Sequence, residues 1–363
     1  MYRDLAAAEL AARLGTDRAP FVVDVREPAE FSAWAIPGAV NIPLGALASR
    51  LEEVPSDRDV VSVCATGNRS ALAAERLSHA GRTVANLAGG MAAWAQVYDS
   101  VTLELDDLRV VQVRRRAKGC LSYLVGAGDE AFVVDPSTDI PVYTQLADEH
   151  GWRITRVFDT HLHADHVSGA RALAEQTGAR LHLNDADAFA FDHAPLRDGE
   201  QFELPGGTSL RTLAMNTPGH TRGSTAYLVA GRVLLSGDTL FVESVGRPDL
   251  ADQAEAFAVQ LFHSLHDKVL VLPADVSVLP AHYGDAVVVR PDAPVGASLG
   301  ELVATLEPLS YDMDQFVSWA KTHVAARPPN YVRIVHINME GARPQLDEIR
   351  LLETGPNRCA VSA

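Results

Sequence analysis

Cysteine is scarce in this chain: Cys64, Cys120 and Cys359 are the three present in 363 residues. An odd number at such wide spacing carries no readable disulfide framework, so each is judged alone as a reduced thiol. Long hydrophobic runs are also missing. The most apolar stretch, residues 269–279, is interrupted by Pro273 and Asp275 and is far too short to cross a bilayer. The N-terminus lacks the basic and apolar regions of a secretory signal and instead places Asp4 and Glu9 in a short amphipathic helical pattern. A cytoplasmic protein is expected, with no membrane partner. Positive charge is outnumbered, 31 Lys and Arg against 47 Asp and Glu, for a formal net charge of -16. No Lys/Arg-rich stripe offsets that field locally, which argues against nucleic acid as a partner.

What is present reads as ordinary globular α/β protein: 47% hydrophobic and 21% charged residues, with Gly and Pro scattered as turn punctuation. At about 150 residues per domain the length suggests two domains. In the first hundred residues, Phe21 to Val25, Val60 to Val63 and Thr83 to Leu87 are short apolar strands between amphipathic segments, the pattern of a small parallel sheet with flanking helices. Alternation at Val101, Leu103 and Leu105 announces a new sheet, so the boundary is placed between residues 98 and 99. Beyond it, β segments at Leu121 to Val125 and Ala131 to Val134 precede a mixture of strands and helices that includes Val157 to Asp159, Val167 to Thr177, Leu181 to Leu183, Thr225 to Val229 and Val233 to Leu235. Helices are expected near Leu299 to Leu306 and Met313 to Val324, ending at Arg327-Pro-Pro. Nothing marks this last segment as a third domain.

Strand Val60 to Val63 ends at Cys64-Ala-Thr-Gly-Asn-Arg-Ser70, and an Ala/Leu/Glu-rich helix former follows. The cysteine thus opens a loop above a helix N-terminus, where backbone N–H groups, the helix dipole and the cation of Arg69 all lower a thiol pKa. Gly67 can take positive φ and let the loop amides converge. A free cysteine is most often buried packing, but Gly, Arg and a helix start at these spacings point to a nucleophile. The stretch resembles a single-domain rhodanese, carried by Asp24-Val-Arg-Glu27 with Phe31, Ile36-Pro-Gly-Ala-Val-Asn-Ile-Pro43, the Cys64 to Arg69 loop and Asn86-Leu-Ala-Gly-Gly-Met-Ala-Ala-Trp94. That resemblance covers residues 1–98. It implies a sulfurtransferase domain with a persulfide on Cys64, Arg69 in a catalytic role, and Gly67 and Asn68 contacting thiosulfate or another sulfur donor, or sulfite as acceptor. Related phosphatases place one more residue between Cys and Arg; the four here suit a sulfur atom. Ala35 and Ala65 depart from the family, which often has His at the first position and a basic or polar residue at the second.

A second constellation follows strand Val157 to Asp159: Thr160-His161-Leu-His163-Ala-Asp165-His166. Two histidines one residue apart project on the same side of an extended segment, and Asp165 and His166 add a further pair of ligand types. Distal candidates stand in Gly/Pro loops after apolar runs: His220, Asp238 and His282. The remaining histidines (His79, His150, His182, His193, His263, His266, His323 and His336) lack such settings and are read as solvated or packing residues. Cys120, beside a strand, is expected to be buried packing, and Cys359, in a polar C-terminal tail, to be exposed and mobile.

The set resembles the metallo-β-lactamase superfamily over roughly residues 105–340, implying an αββα sandwich after the rhodanese-like domain, and domains at 1–98 and 99–363. Within that superfamily Ser236-Gly-Asp-Thr-Leu-Phe-Val-Glu-Ser-Val-Gly-Arg-Pro-Asp-Leu250 resembles the motif of the persulfide dioxygenases. The resemblance implies one Fe(II) held by His161, His220 and Asp238, with His163, Asp165, His166 and His282 orienting ligands and water around it. It also implies a contact from Arg247 to the carboxylates of a glutathione-type substrate, and pairing into a homodimer. The expected reaction is oxidation of a small persulfide by O₂ to sulfite and thiol, coupled to sulfur transfer at Cys64, with the fusion raising the local concentration of one domain's product for the other. The alternative is a binuclear zinc thioester hydrolase of glyoxalase II type with an accessory rhodanese domain, which uses almost the same ligands.

Overall fold

Short β-branched runs bounded by turn residues build both halves of the chain. The computed structural model describes residues 2–106, 108–204, 211–249, 253–284, 286–324, 327, 330–353, 355 and 359–361. Leu250, Pro328 and Pro329, which enter the sequence motifs above, and residues 356–358 of the C-terminal tail lie outside the described residues.

The chain divides into two compact units. The first comprises residues 1–99 with 115–119 and 288–292; the second holds the remainder. In the first unit β1 (Arg3–Leu5), β2 (Phe21–Asp24), β3 (Val40–Asn41), β4 (Val60–Val63) and β5 (Val84–Leu87) form one sheet in the order β1-β5-β4-β2-β3. Every pairing in it is parallel. Helices α1 (Ala7–Arg13), α2 (Pro28–Ala33), α3 (Asn68–His79) and α4 (Gly90–Trp94) flank it. The amphipathic helical reading of the N-terminus included Asp4, but Arg3–Leu5 is β1: only Leu5 is buried, and the segment completes the sheet edge beside β5. The Asp24-Val-Arg-Glu motif owes its form to a buried fork, with Arg26 Nε and Nη2 donating to the Asp24 carboxylate at 2.7–3.0 Å.

In the second unit, strands β6 (Tyr98–Leu105), β7 (Leu108–Arg115), β8 (Cys120–Ala127), β9 (Glu130–Val134), β10 (Arg153–Phe158), β11 (Arg180–Leu183) and β12 (Ala194–Pro195) form a seven-stranded sheet in the order β12-β11-β10-β9-β8-β7-β6. A six-stranded sheet follows in sequence order: β13 (Gln201–Glu203), β14 (Arg211–Asn216), β15 (Thr225–Val229), β16 (Val233–Gly237), β17 (Ser277–Pro280) and β18 (Ala297–Ser298). Helices α5 (Ile140–His150) and α6 (Ala170–Thr177) pack on the first of these sheets. Helices Ala254–His263, Leu299–Thr305 and Met313–Thr322 bury Leu261, Leu302 and Phe316 against Ala226, Leu234 and Val278 of the second. The unit is an αββα sandwich, the architecture expected from the sequence. Helix α6 starts three residues later than the sequence suggests, because Gly169 lies against the Ser137 carbonyl, where a Cβ would come within 1.9 Å.

Strand direction sets the site. β9 and β10 run parallel, so their C-terminal ends share an edge. β8 runs antiparallel to β9 and therefore brings its first residue, Cys120, to that edge. In the other sheet β14 and β16 both oppose β15, and β17 is parallel to β16, so the loops after β14, β16 and β17 also leave from one edge.

His182 of β11 is buried as the sequence reading allowed, stacked on Phe158 at 5.1 Å and edge-on to Phe202 at 5.0 Å. Burial, then the Coulomb fields of Arg180 and Arg156, lower its pKa to about 4. A histidine whose folded pKa lies below its unfolded value of about 6.5 stabilises the fold above that value. That contribution is lost as pH falls toward 4. Thermal melts between pH 7 and 4.5 should therefore show a smaller loss of Tm for His182→Phe than for the parent chain.

Candidate metal centre and sulfur-carrying loop

In the first unit the chain leaves β4 and turns immediately around Cys64, which is buried. Gly67 takes φ 98° and its N–H points at the sulfur from 3.1 Å. Ser70 Oγ lies 3.3 Å from the same Sγ and 2.7 Å from Asn86 Oδ1, so its single proton is shared between thiol and amide. Burial pushes the Cys64 thiol up, but hydrogen bonds from the Ser70 hydroxyl and from the N–H groups of Ser70, Thr66 and Gly67 outweigh it, and the pKa is lowered. The expected cation is turned elsewhere: Arg69 forks onto Glu30 at 2.7 and 2.8 Å, and this pairing drives the Glu30 carboxyl down to about 2. Asn68 is exposed at the start of α3.

Sequence reasoning passed over Ser70; a hydroxyl in the first helical turn after the cysteine loop was the available signal. The Gly89-Gly90 pair has a local cause. Gly90 has φ 56°, and a Cβ there would come within 2.2 Å of the Cys64 carbonyl, which accepts from Met91 N–H at 2.8 Å.

In the second unit His161 follows β10, His220 follows β14 and Asp238 follows β16; all three are buried. Their ligand atoms form one group within 4.8 Å. Thr160 Oγ1 donates to Asp135 at 2.9 Å and must therefore accept from His161 Nδ1, 2.8 Å away. His220 Nδ1 donates to the Arg247 carbonyl at 3.0 Å. Both tautomers leave Nε2 with its lone pair toward Asp238 Oδ2, at 3.6 and 3.4 Å. Burial lowers both histidine pKa values and keeps the rings neutral. All three facing atoms are buried without hydrogen-bond partners. Two ligands about 2.1 Å from a common cation at 90–120° stand about 3.0–3.6 Å apart. A metal ion fits these residues.

His163 does not join that group. Its Nε2 donates to Asp135 Oδ1 at 3.1 Å, with Asp159 Oδ1 at 3.8 Å. His282 Nδ1 lies 2.6 Å from Asp238 Oδ1, and its Nε2 is 3.0 Å from Asp165 Oδ2. Asp165 Oδ1 in turn lies 3.0 Å from His166 Nδ1. The seven expected residues are thus in one buried neighbourhood, three facing a common point and four, His163, Asp165, His166 and His282, held in carboxylate–imidazole pairs around it.

Three expectations are corrected. Cys120 is buried, yet its setting is the ligand neighbourhood: Sγ is 3.3 Å from Asp165 Oδ2. Cys359 is 1% exposed, not displayed on a mobile tail, and lies within 4.8 Å of ligand atoms of Asp238 and His282. Burial and the neighbouring Asp238 keep its thiol protonated. Arg247 is fully buried, and its guanidinium is forked onto Asp249 at 2.7 and 2.9 Å instead of facing an open surface.

Alkylation of Cys64 should follow a pH profile whose midpoint moves to higher pH in Ser70→Ala, with a lower rate at pH 7; an unchanged profile would leave the loop amides as sole stabilisers. At the metal centre, a Cβ on Gly246 would come within 1.9 Å of the Asp238 carbonyl and 3.2 Å of His220 Cβ. Gly246→Ala should shift both ligands and weaken metal affinity by roughly 10–100-fold, measured by competition with a chromogenic chelator.

Residues 6–97 match the rhodanese-like domain model, and residues 115–282 match that of the metallo-β-lactamase superfamily. A hydroxyacylglutathione hydrolase of Methylobacillus flagellatus is 32% identical over 160 residues, covering 44% of this chain and 60% of that protein. The human mitochondrial persulfide dioxygenase ETHE1 is 31% identical over 178 residues, covering 44% and 63%. The chain thus spans about three fifths of these curated relatives. The crystal structure of ETHE1 from Myxococcus xanthus superposes with a TM-score of 0.57 at 25% identity, over 64% of this chain and 99% of that one. Among the described residues no helix is long and apolar enough to cross a membrane. The chain joins a rhodanese domain to a metallo-β-lactamase superfamily domain whose buried His and Asp side chains fit a metal ion.

Proposed function

We propose that this chain is a persulfide dioxygenase with an attached sulfurtransferase domain. It takes a low-molecular-weight persulfide such as glutathione persulfide, with O₂ and water, to the thiol, sulfite and two protons. The observation that supports this reading is the set of three buried, unpartnered atoms, His161 Nε2, His220 Nε2 and Asp238 Oδ2, facing one another while His163 is engaged by Asp135. One Fe(II) held by two imidazoles and a carboxylate would supply the redox chemistry with O₂, since such a triad leaves coordination positions for substrate and oxygen.

The chain's own residues prepare that site. Thr160 and the Arg247 carbonyl fix the two imidazole tautomers, and His282 holds Asp238 by one oxygen so that the other stays directed inward. Burial of the whole set excludes bulk water and strengthens its electrostatics. In the first unit the amides around Cys64 are arranged to hold an anionic sulfur, which suits a persulfide made from thiosulfate or passed to sulfite.

The hydrolase reading has an observation of its own: Cys120, Asp165, His166 and His282 offer ligand atoms within 4.8 Å of one another, a second cluster beside the first. The two readings differ in metal count and in their need for oxygen. Anaerobically prepared protein should contain about one iron per chain, and with glutathione persulfide it should consume O₂ as sulfite appears. Two zinc ions per chain, with cleavage of an acylglutathione thioester and no oxygen uptake, would overturn the proposal. His220→Ala should lose iron and sulfite production while Cys64 alkylation is retained; full activity in that variant would point to a non-catalytic metal.

A further inference from the structure

The last described residues form an extended segment beside residues 245–247. Val361 N–H donates to the Val245 carbonyl at 2.9 Å, Arg247 N–H donates to the Cys359 carbonyl at 2.9 Å, and Ala360 stands opposite Gly246. Residues two apart on an extended segment share a side. Val361 is 2% exposed in the cluster containing Leu240 and Val245, and Cys359 is 1% exposed beside Asp238 and His282. Backbone pairing at Cys359 and Val361 fixes the cysteine in place, which does not suit a swinging carrier. One neighbour points to a ligand: Asp238 Oδ2 is buried and lacks a hydrogen-bond partner.

We propose that Cys359 accepts sulfane sulfur from a small persulfide entering the metal enclosure and holds it as a protein persulfide beside Asp238. The Cys359 sulfur bonds to the outer sulfur of RS–SH and the donor S–S bond breaks. The thiol proton leaves with the inner sulfur as RSH, so no oxidant is required. Resting on the dioxygenase reading, this held persulfide is itself a substrate: with O₂ and water it returns Cys359–SH, sulfite and two protons. The fixed backbone keeps the loaded sulfur at the centre after the small thiol has gone, which converts a bimolecular encounter into an intramolecular one.

Iron-loaded full-length Cys64→Ser protein tests this, since the rhodanese cysteine is then silent. It is incubated with glutathione persulfide without oxygen, desalted, and divided for alkylation with peptide mass analysis and for exposure to air. The expected result is one extra sulfur atom on the peptide containing Cys359, none on that containing Cys120, and release of the sulfur as sulfite in air. The same protein carrying Cys359→Ser should release no sulfite after desalting. A Cys359 peptide alkylated without extra sulfur, from protein that converts free glutathione persulfide to sulfite in air, would overturn the proposal. Extra sulfur on Cys359 that air does not convert to sulfite would sustain the acceptor role and sink the dioxygenase reading instead.

Discussion

A single buried carboxylate ties the metal-binding half of the molecule together. Asp238 meets His282 through one oxygen at 2.6 Å and faces the His161 and His220 rings through the other. Burial alone would favour its neutral form, but His282, 2.6 Å away, holds it ionised. Its inward oxygen faces two imidazoles that burial keeps neutral, so that side of the carboxylate receives no charge from the protein. Much of the surrounding structure keeps this arrangement in register: the Gly246 backbone lies against the Asp238 carbonyl, and the C-terminal segment pairs with residues 245–247. A cation at the common point of the three ligands would complete the charge balance.

The sulfur loop solves a related problem by different means. Around Asp238 negative charge is met by ring nitrogens and would be met further by a bound cation; around Cys64 it is met by amide dipoles and one hydroxyl. Arg69, the formal cation of the loop, is occupied by Glu30, which is both the third residue of α2 and the closing partner of its capping box. An amide cradle accepts an anionic sulfur of varying length without a fixed counter-charge, a property suited to a thiol that gains and loses a sulfur atom. The Gly90 approach to the Cys64 carbonyl links the cradle to the second glycine motif, so the two segments form one local structure.

Both sites sit where parallel strands end, because loops leaving one edge can bring residues distant in sequence to a common point. This explains why residues from His161 to His282 are spread over more than a hundred positions and still meet. It also explains the intrusion of Cys120. A cysteine at the start of an antiparallel strand arrives at the same edge as ligands that follow its neighbours, with nothing in its flanking sequence to say so.

Much of the fold and of the site was legible from local pattern. The strands at Val60 to Val63 and Val233 to Leu235, the helix after the Cys64 loop and the positive φ of Gly67 follow from side-chain chemistry within a few residues. So does the gathering of His161, His163, Asp165 and His166, since short spacing after a strand leaves few other arrangements. The rest depended on partners remote in sequence. Whether Arg69 faces the sulfur or Glu30 is decided by α2, and whether Arg247 is open or paired is decided by Asp249 within the fold. That Cys359 lies against Asp238 is decided by backbone pairing between residues 359–361 and 245–247. Residue types and their spacing determined which chemistry the chain can hold; long-range pairing and burial decided which atoms face each other, because those depend on contacts that no local stretch of sequence contains.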